Sequence, residues 1–160
     1  MTETPEDFAR HNARMKRVQA ARERIQARHT LERGLLIVHT GDGKGKSSSA
    51  FGMAIRSLGW GMKVGIVQYV KGAWETGEKN FFQANPDLLT FEVMGEGFTW
   101  DTQDRARDIA AARAAWERSK ALILDPAYDF IILDELNIVL RQDTLPVDEI
   151  VAFLKDRPLT

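Results

Sequence analysis

The chain has 160 residues, about one domain's worth, and at 44% apolar and 28% charged residues it is too apolar for a disordered polymer. Lys and Arg total 22 against 23 Asp and Glu, a net charge of −1, which argues against a protein that coats nucleic acid or an anionic membrane. Cysteine is absent and the histidines are His11, His29 and His39, so disulfides, thiolate or histidine metal sites and a Cys nucleophile drop out; with no apolar run near ~18 residues and no signal peptide, a cytoplasmic protein is expected.

Residues 1–33 carry eight basic and five acidic side chains, +3, leaving −4 for residues 34–160. From Pro5 to about His29 there is no glycine, and Ala, Arg and Gln are frequent, all good helix formers. Phe8, Met15, Val18 and Ile25 fall on one narrow stripe, so this segment reads as an amphipathic helix too polar to own a core. It is either a solvated arm or a flap laid on its own or a neighbouring subunit.

From residue 34 the pattern is that of one α/β domain. Leu35-Leu36-Ile37-Val38 is a short apolar run of the kind a buried parallel strand requires. A loop at 41–47 and a helix over Ser48 to Leu58 follow, then a strand over Lys63 to Gln68. A short helix covers Glu78 to Ala84, and Leu89 to Val93 forms the next strand. Thr102 opens a long helix with Ile109, Trp116 and Ile123 inward, and Asp101 or Thr102 caps it. Phe130 to Leu133 is a further strand, and a last helix runs from Pro146 to about Lys155. Strands alternating with helices predict a parallel sheet covered on both faces. His39 reads as a strand residue satisfied by its neighbours, Trp60 and Trp74 as packing or loop residues, of which Trp74 could border a ligand, and Glu75, Glu78 and Lys79 as solvated charges.

Between the first expected strand and helix lies Thr40-Gly41-Asp42-Gly43-Lys44-Gly45-Lys46-Ser47-Ser48. Three alternating glycines let successive N–H groups turn toward an anion, and the helix that follows brings its positive end to the same place. Lys46 supplies a charge for phosphates and the Ser47 hydroxyl suits a magnesium ion. The match to G-x-x-x-x-G-K-[ST] is incomplete, because Thr40 stands at the first glycine position. The strand Phe130 to Leu133 delivers Asp134 and Glu135 to the edge of the sheet where ligands sit, and a carboxylate there can hold magnesium opposite Ser47. The loop alone leaves attack at the γ-phosphorus, the α-phosphorus or ribose C5′ open. Phe98 and Trp100, in the glycine-bearing stretch Met94 to Thr102, read from residue type alone as core more readily than as a contact for a large flat ligand.

Four motifs in this order carry a resemblance: Thr40 to Ser47, Val67-Gln68-Tyr69-Val70-Lys71-Gly72, Gly97-Phe98-Thr99-Trp100 and Leu133-Asp134-Glu135-Leu136. From about Arg33 to Pro158 the chain resembles the P-loop type of ATP:corrinoid adenosyltransferases of the cobalamin pathway. The resemblance implies a P-loop (RecA-like) sheet and transfer of the 5′-deoxyadenosyl group of ATP to Co(I) of a reduced corrinoid, with release of triphosphate. ATP would lie on Gly41, Asp42, Gly43, Lys44, Gly45, Lys46, Ser47 and Ser48, with Arg56 near the nucleotide. Mg2+ or Mn2+ would sit on Ser47 and Glu135, with Asp134 beside them. Phe98 and Trp100 would lie against the corrin, displacing its lower axial ligand. Catalysis would rest on Lys46, Glu135, Phe98 and Trp100. Cobalamin or a precursor is the implied substrate, a reduced flavoprotein the implied electron donor and a homodimer the implied assembly. Serines stand at Ser47 and Ser48 where threonines are common in the family. Family members also continue beyond Arg157-Pro158-Leu159-Thr160 into another strand and a C-terminal segment, so the last family strand is expected to be missing. The competing readings are another P-loop kinase or ATP hydrolase, and a non-catalytic, ATP-gated corrinoid-binding module.

Overall fold

The computed structural model describes residues 4–29, 34–70, 77–84, 87–94 and 104–158. Its contacts separate an N-terminal unit ending at Leu35 from a unit spanning Leu36–Pro158. In the first, helix α1 covers Pro5–Gln26. Thr4 and Asp7 close a capping box: the Asp7 N–H donates to Thr4 Oγ1 at 3.3 Å and the Thr4 N–H donates to Asp7 Oδ2 at 3.1 Å. The Thr4 hydroxyl also donates to Asp7 Oδ2 at 2.6 Å, and this bond first, with that from the Thr4 N–H, lowers the Asp7 pKa; Pro5 occupies a first-turn position whose N–H has no helical partner anyway. No residue of α1 is buried, in keeping with its polar sequence.

The second unit is built on three parallel strands, β1 (Val64–Gln68), β2 (Leu89–Val93) and β3 (Phe130–Asp134), in the order β2-β1-β3. The ladders align Val64 with Leu89 and Phe130 at one end, and Gln68 with Val93 and Asp134 at the other. All five residues of β1 are buried, as a central strand between two helical layers demands. Alternate side chains enter two cores. On one face Val64, Ile66, Leu89 and Ile132 meet Phe51 and Ala54 of α2 (Lys46–Leu58) and Phe82 of α3 (Gly77–Gln83). Phe51 and Phe82 pack edge to face with ring centroids 5.6 Å apart, a favoured aromatic geometry.

On the other face Val67 packs with Ala112, Ala115, Trp116 and Leu122 of α4 (Arg105–Leu124), Val139 of α5 (Leu136–Arg141) and Ile150 of α6 (Val147–Lys155). Trp116 is fully buried, stands edge-on to Phe153 at 5.3 Å and donates its indole N–H to Glu149 at 3.1 Å. The inward stripe of α4 is therefore Ala112, Ala115, Trp116, Ser119 and Leu122, while Ile109 and Ile123 are only half-buried. A line drawn through large residues seven apart missed the small side chains that let the helix lie close to the sheet. Helix α4 begins at Arg105, with the Asp104 carboxylate accepting from the Arg107 N–H at 3.1 Å. The expected caps Asp101 and Thr102 lie outside the described residues. Helix α5 was not expected, because six residues are too few to show a period.

The expected first strand departs from the ladder. Residues 34–40 join no sheet, and Leu35, Leu36, Ile37 and Val38 are 78%, 52%, 54% and 63% exposed. An apolar run has strand propensity, but a strand exists only with a hydrogen-bonding partner; among the described residues the outer edge of β3 has none. His39, expected in that strand, is exposed, and Trp60 lies in an exposed turn.

Two outcomes follow from the packing around β1. A Cβ on Gly65 would lie 3.3 Å from Leu122 Cδ1 and 3.3 Å from a ring carbon of Tyr128, so Gly65→Val is expected to destabilise the fold by about 1–3 kcal/mol in urea unfolding. Tyr69 donates its hydroxyl to Ser119 Oγ at 2.7 Å, whose own proton goes to the Ala115 carbonyl at 2.7 Å. Burial pushes the Tyr69 pKa from 10.0 up to about 12. The unfolded phenol thus ionises first, and stability falls as pH rises from 10.0 to about 12. Tyr69→Phe is expected to flatten that fall in alkaline unfolding titrations.

Candidate active site

Parallel strands send all their C-terminal ends to one edge of the sheet, and the chemistry-bearing residues collect there. Gln68 and Asp134 end β1 and β3 side by side, while Val93 ends β2 on the other flank of Gln68. Residues 41–45 form a bent loop that leads straight into α2, whose first residue is Lys46.

Gly41 and Gly45 have φ of 114° and 98°, in the left-handed region that an L side chain rarely occupies. Gly45 is the N-cap of α2 and makes no side-chain cap bond, so the first N–H groups of the helix are left to the loop and its ligand. A Cβ built at Gly41, Gly43 or Gly45 would meet nothing within 4 Å. Gly41 and Gly45 therefore serve backbone conformation, and all three glycines leave open space over the loop. Lys46 Nζ donates to the Gly41 carbonyl at 2.6 Å and to the Gly43 carbonyl, so the ammonium folds back over its own loop. A phosphate would replace those neutral acceptors by anionic ones, a stronger class of hydrogen bond. Asp42, Lys44 and Ser48 are exposed along the same turn.

At the start of α2, just after the loop, Ser47 Oγ donates to Asp134 Oδ1 of β3 at 2.8 Å, across 87 positions of sequence. Asp134 is 7% exposed, and its Oδ2 accepts from Gln68 Nε2 at 2.8 Å. Glu135 follows with φ 66°, a left-handed conformation that costs a non-glycine residue about 1–2 kcal/mol. Its Oε2 is sealed from solvent. Strain of this kind persists where the surroundings hold it, here between the end of β3 and the start of α5.

A hydroxyl and a carboxylate in direct contact, with a second carboxylate next in sequence, form a hard oxygen donor set of the kind magnesium takes alongside phosphate oxygens and water. Among the described residues no group of three or more His, Cys, Asp or Glu is placed to hold a metal ion. The residues present fit the ion expected from the sequence.

Of the expected site residues, the structure brings Gly41 to Ser48 together with Asp134 and Glu135. Arg56 is exposed in the last turn of α2, ten residues beyond Lys46 and thus about 15 Å along the axis, away from the loop's phosphate end. Phe98, Trp100 and Trp74 lie outside the described residues. Gln68 was not singled out; the available signal was a lone amide at the end of an otherwise apolar strand. No helix among the described residues is long and apolar enough to cross a membrane.

Comparison with known proteins agrees with this geometry. Residues 32–160 match the family described as ATP:corrinoid adenosyltransferase BtuR/CobO/CobP. A corrinoid adenosyltransferase of Pseudomonas aeruginosa is 52% identical over 158 residues, which is 99% of this chain and 78% of that protein. One from Sinorhizobium sp is 50% identical over 94% of this chain and 71% of its own length, and one from Escherichia coli K12 is 46% identical over 89% and 73%. With the family pattern spanning the phosphate loop, the sheet and the Asp134-Glu135 pair alike, the chain belongs to the ATP:corrinoid adenosyltransferase family.

Proposed function

We propose that this chain transfers the 5′-deoxyadenosyl group of ATP to the cobalt of a reduced corrinoid, cobalamin or a precursor of it, and releases triphosphate. The observation that carries the reading is the open glycine loop tied by Ser47 to Asp134 at the C-terminal edge of the sheet, in a chain of this family. Co(I) is the nucleophile: its electron pair forms the Co–C5′ bond, the C5′–O bond breaks, and that bond's electrons leave on triphosphate. No Ser, Cys or His is needed as attacker. The work left to the protein is to align C5′ with cobalt and to steady the charge growing on the leaving group.

Gly41 to Ser48 cradle the triphosphate, with Lys46 turning from the loop carbonyls to its oxygens. Asp42 and Lys44 border the nucleotide, and Arg56 meets its far end. A magnesium or manganese ion held by Ser47, Glu135 and Asp134 supplies further neutralisation of the triphosphate. Phe98 and Trp100 form a dry wall against the corrin that excludes water and the lower axial ligand, which favours the less charged Co(I). The electron comes from a separate reduced flavoprotein, the donor that the resemblance to the family implies. Residues 1–33 act as an N-terminal arm, the protein works as a cytoplasmic homodimer, and neither nucleic acid nor membrane is a partner.

Anaerobic incubation with ATP and chemically reduced cobalamin is expected to yield triphosphate and a light-sensitive Co–C species; ADP as the product would point to a kinase or hydrolase instead. Lys46→Ala is expected to keep the fold, as its side chain is exposed, and to lower turnover by on the order of 10²-fold or more. Turnover unaffected by that change would contradict the assigned role of the loop.

A further inference from the structure

Gln68 is the one amide in a strand otherwise made of Val64, Gly65, Ile66 and Val67, and it is 4% exposed. Burying such a group is costly unless it is hydrogen-bonded, so its side-chain bond decides why it is tolerated there. Nε2 donates to Asp134 Oδ2 at 2.8 Å, and the strand register sets the two residues opposite one another. The two oxygens of Asp134 are thereby given separate work: Oδ2 is fixed to the sheet, and Oδ1 faces the Ser47 hydroxyl of the phosphate loop.

The chemistry of the amide matters as much as its place. A Lys or Arg at position 68 would neutralise Asp134 and compete with any cation at Oδ1. An amide orients the carboxylate and leaves its charge available. The Ser47 hydroxyl has two lone pairs beside its proton, so its oxygen can take a cation while its bond to Oδ1 persists. The bond from Gln68 reaches the other oxygen and so fixes the carboxylate plane while Oδ1 stays turned to the Ser47 side.

We propose that Gln68 is a positioning residue, which holds Asp134 in the orientation that receives the nucleotide-bound divalent cation while leaving its charge intact. The inference rests on the reading of Ser47 and Asp134 as part of the metal–nucleotide site. Its test is Mn2+ binding with and without ATP, followed by electron paramagnetic resonance, together with ATP binding in EDTA. The wild-type chain is expected to bind Mn2+ in an ATP-dependent way. Gln68→Met, similar in volume but without a donor, is expected to weaken ATP-dependent Mn2+ binding by about tenfold, the usual size of an effect from a partner behind a metal ligand. ATP binding in EDTA should stay as in the wild type. Gln68→Asn, which keeps a buried amide yet falls short of Asp134, is expected to do the same and serves if the Met variant does not fold. Mn2+ binding at wild-type strength in the variants would overturn the inference and leave the site reading standing. So would an equal loss of ATP binding in EDTA, since that marks general loosening. A wild-type chain without ATP-dependent Mn2+ binding would sink both.

Discussion

One hydrogen bond, from Ser47 to Asp134 at 2.8 Å, couples the phosphate loop to the sheet. The loop is glycine-rich and exposed, so its own sequence gives it little stiffness. Asp134 is different: it ends a strand paired to the fully buried β1 and is held again by Gln68. Through Ser47 the loop is tied to a buried strand end. The same two residues are those whose oxygens suit a metal–nucleotide complex, so the contact that places the loop also gathers those oxygens.

That rigidity is built by the two cores. Val64 and Ile66 lock the sheet onto α2, the helix that starts in the phosphate loop, while Val67 locks it onto Ala112, Ala115 and Trp116 of α4. A central strand buried on both faces fixes its register, because a slip by one residue would exchange the two sets of side chains. Register in turn sets Gln68 opposite Asp134. The side-chain alternation of one five-residue strand thus reaches the chemistry at its end.

Much of this was legible in the sequence, for identifiable reasons. The strands at 64–68, 89–93 and 130–134 are short apolar runs between turn signals, and each lies within a residue of its expected place. The loop and the Asp134-Glu135 pair carry residue types that few structural roles explain. What escaped depends on tertiary partners. Leu35 to Val38 has the composition of a strand but gains no ladder partner, and composition cannot report that. The inward face of α4 is set by Ala112, Ala115 and Ser119, small residues that a search for large apolar side chains passes over. Gln68 gains its meaning only from a residue 66 positions away.

The central claim is that the loop grips the polyphosphate so that the sugar carbon, and not a phosphorus, meets the nucleophile. The most direct measurement is an experimental structure of the chain with ATP, Mg2+ and cob(II)alamin. The account predicts the triphosphate on Gly41 to Ser48 with ribose C5′ turned to the cobalt, and the corrin against Phe98 and Trp100. A nucleotide whose terminal phosphorus faces the corrin, with the ribose turned away, would contradict it.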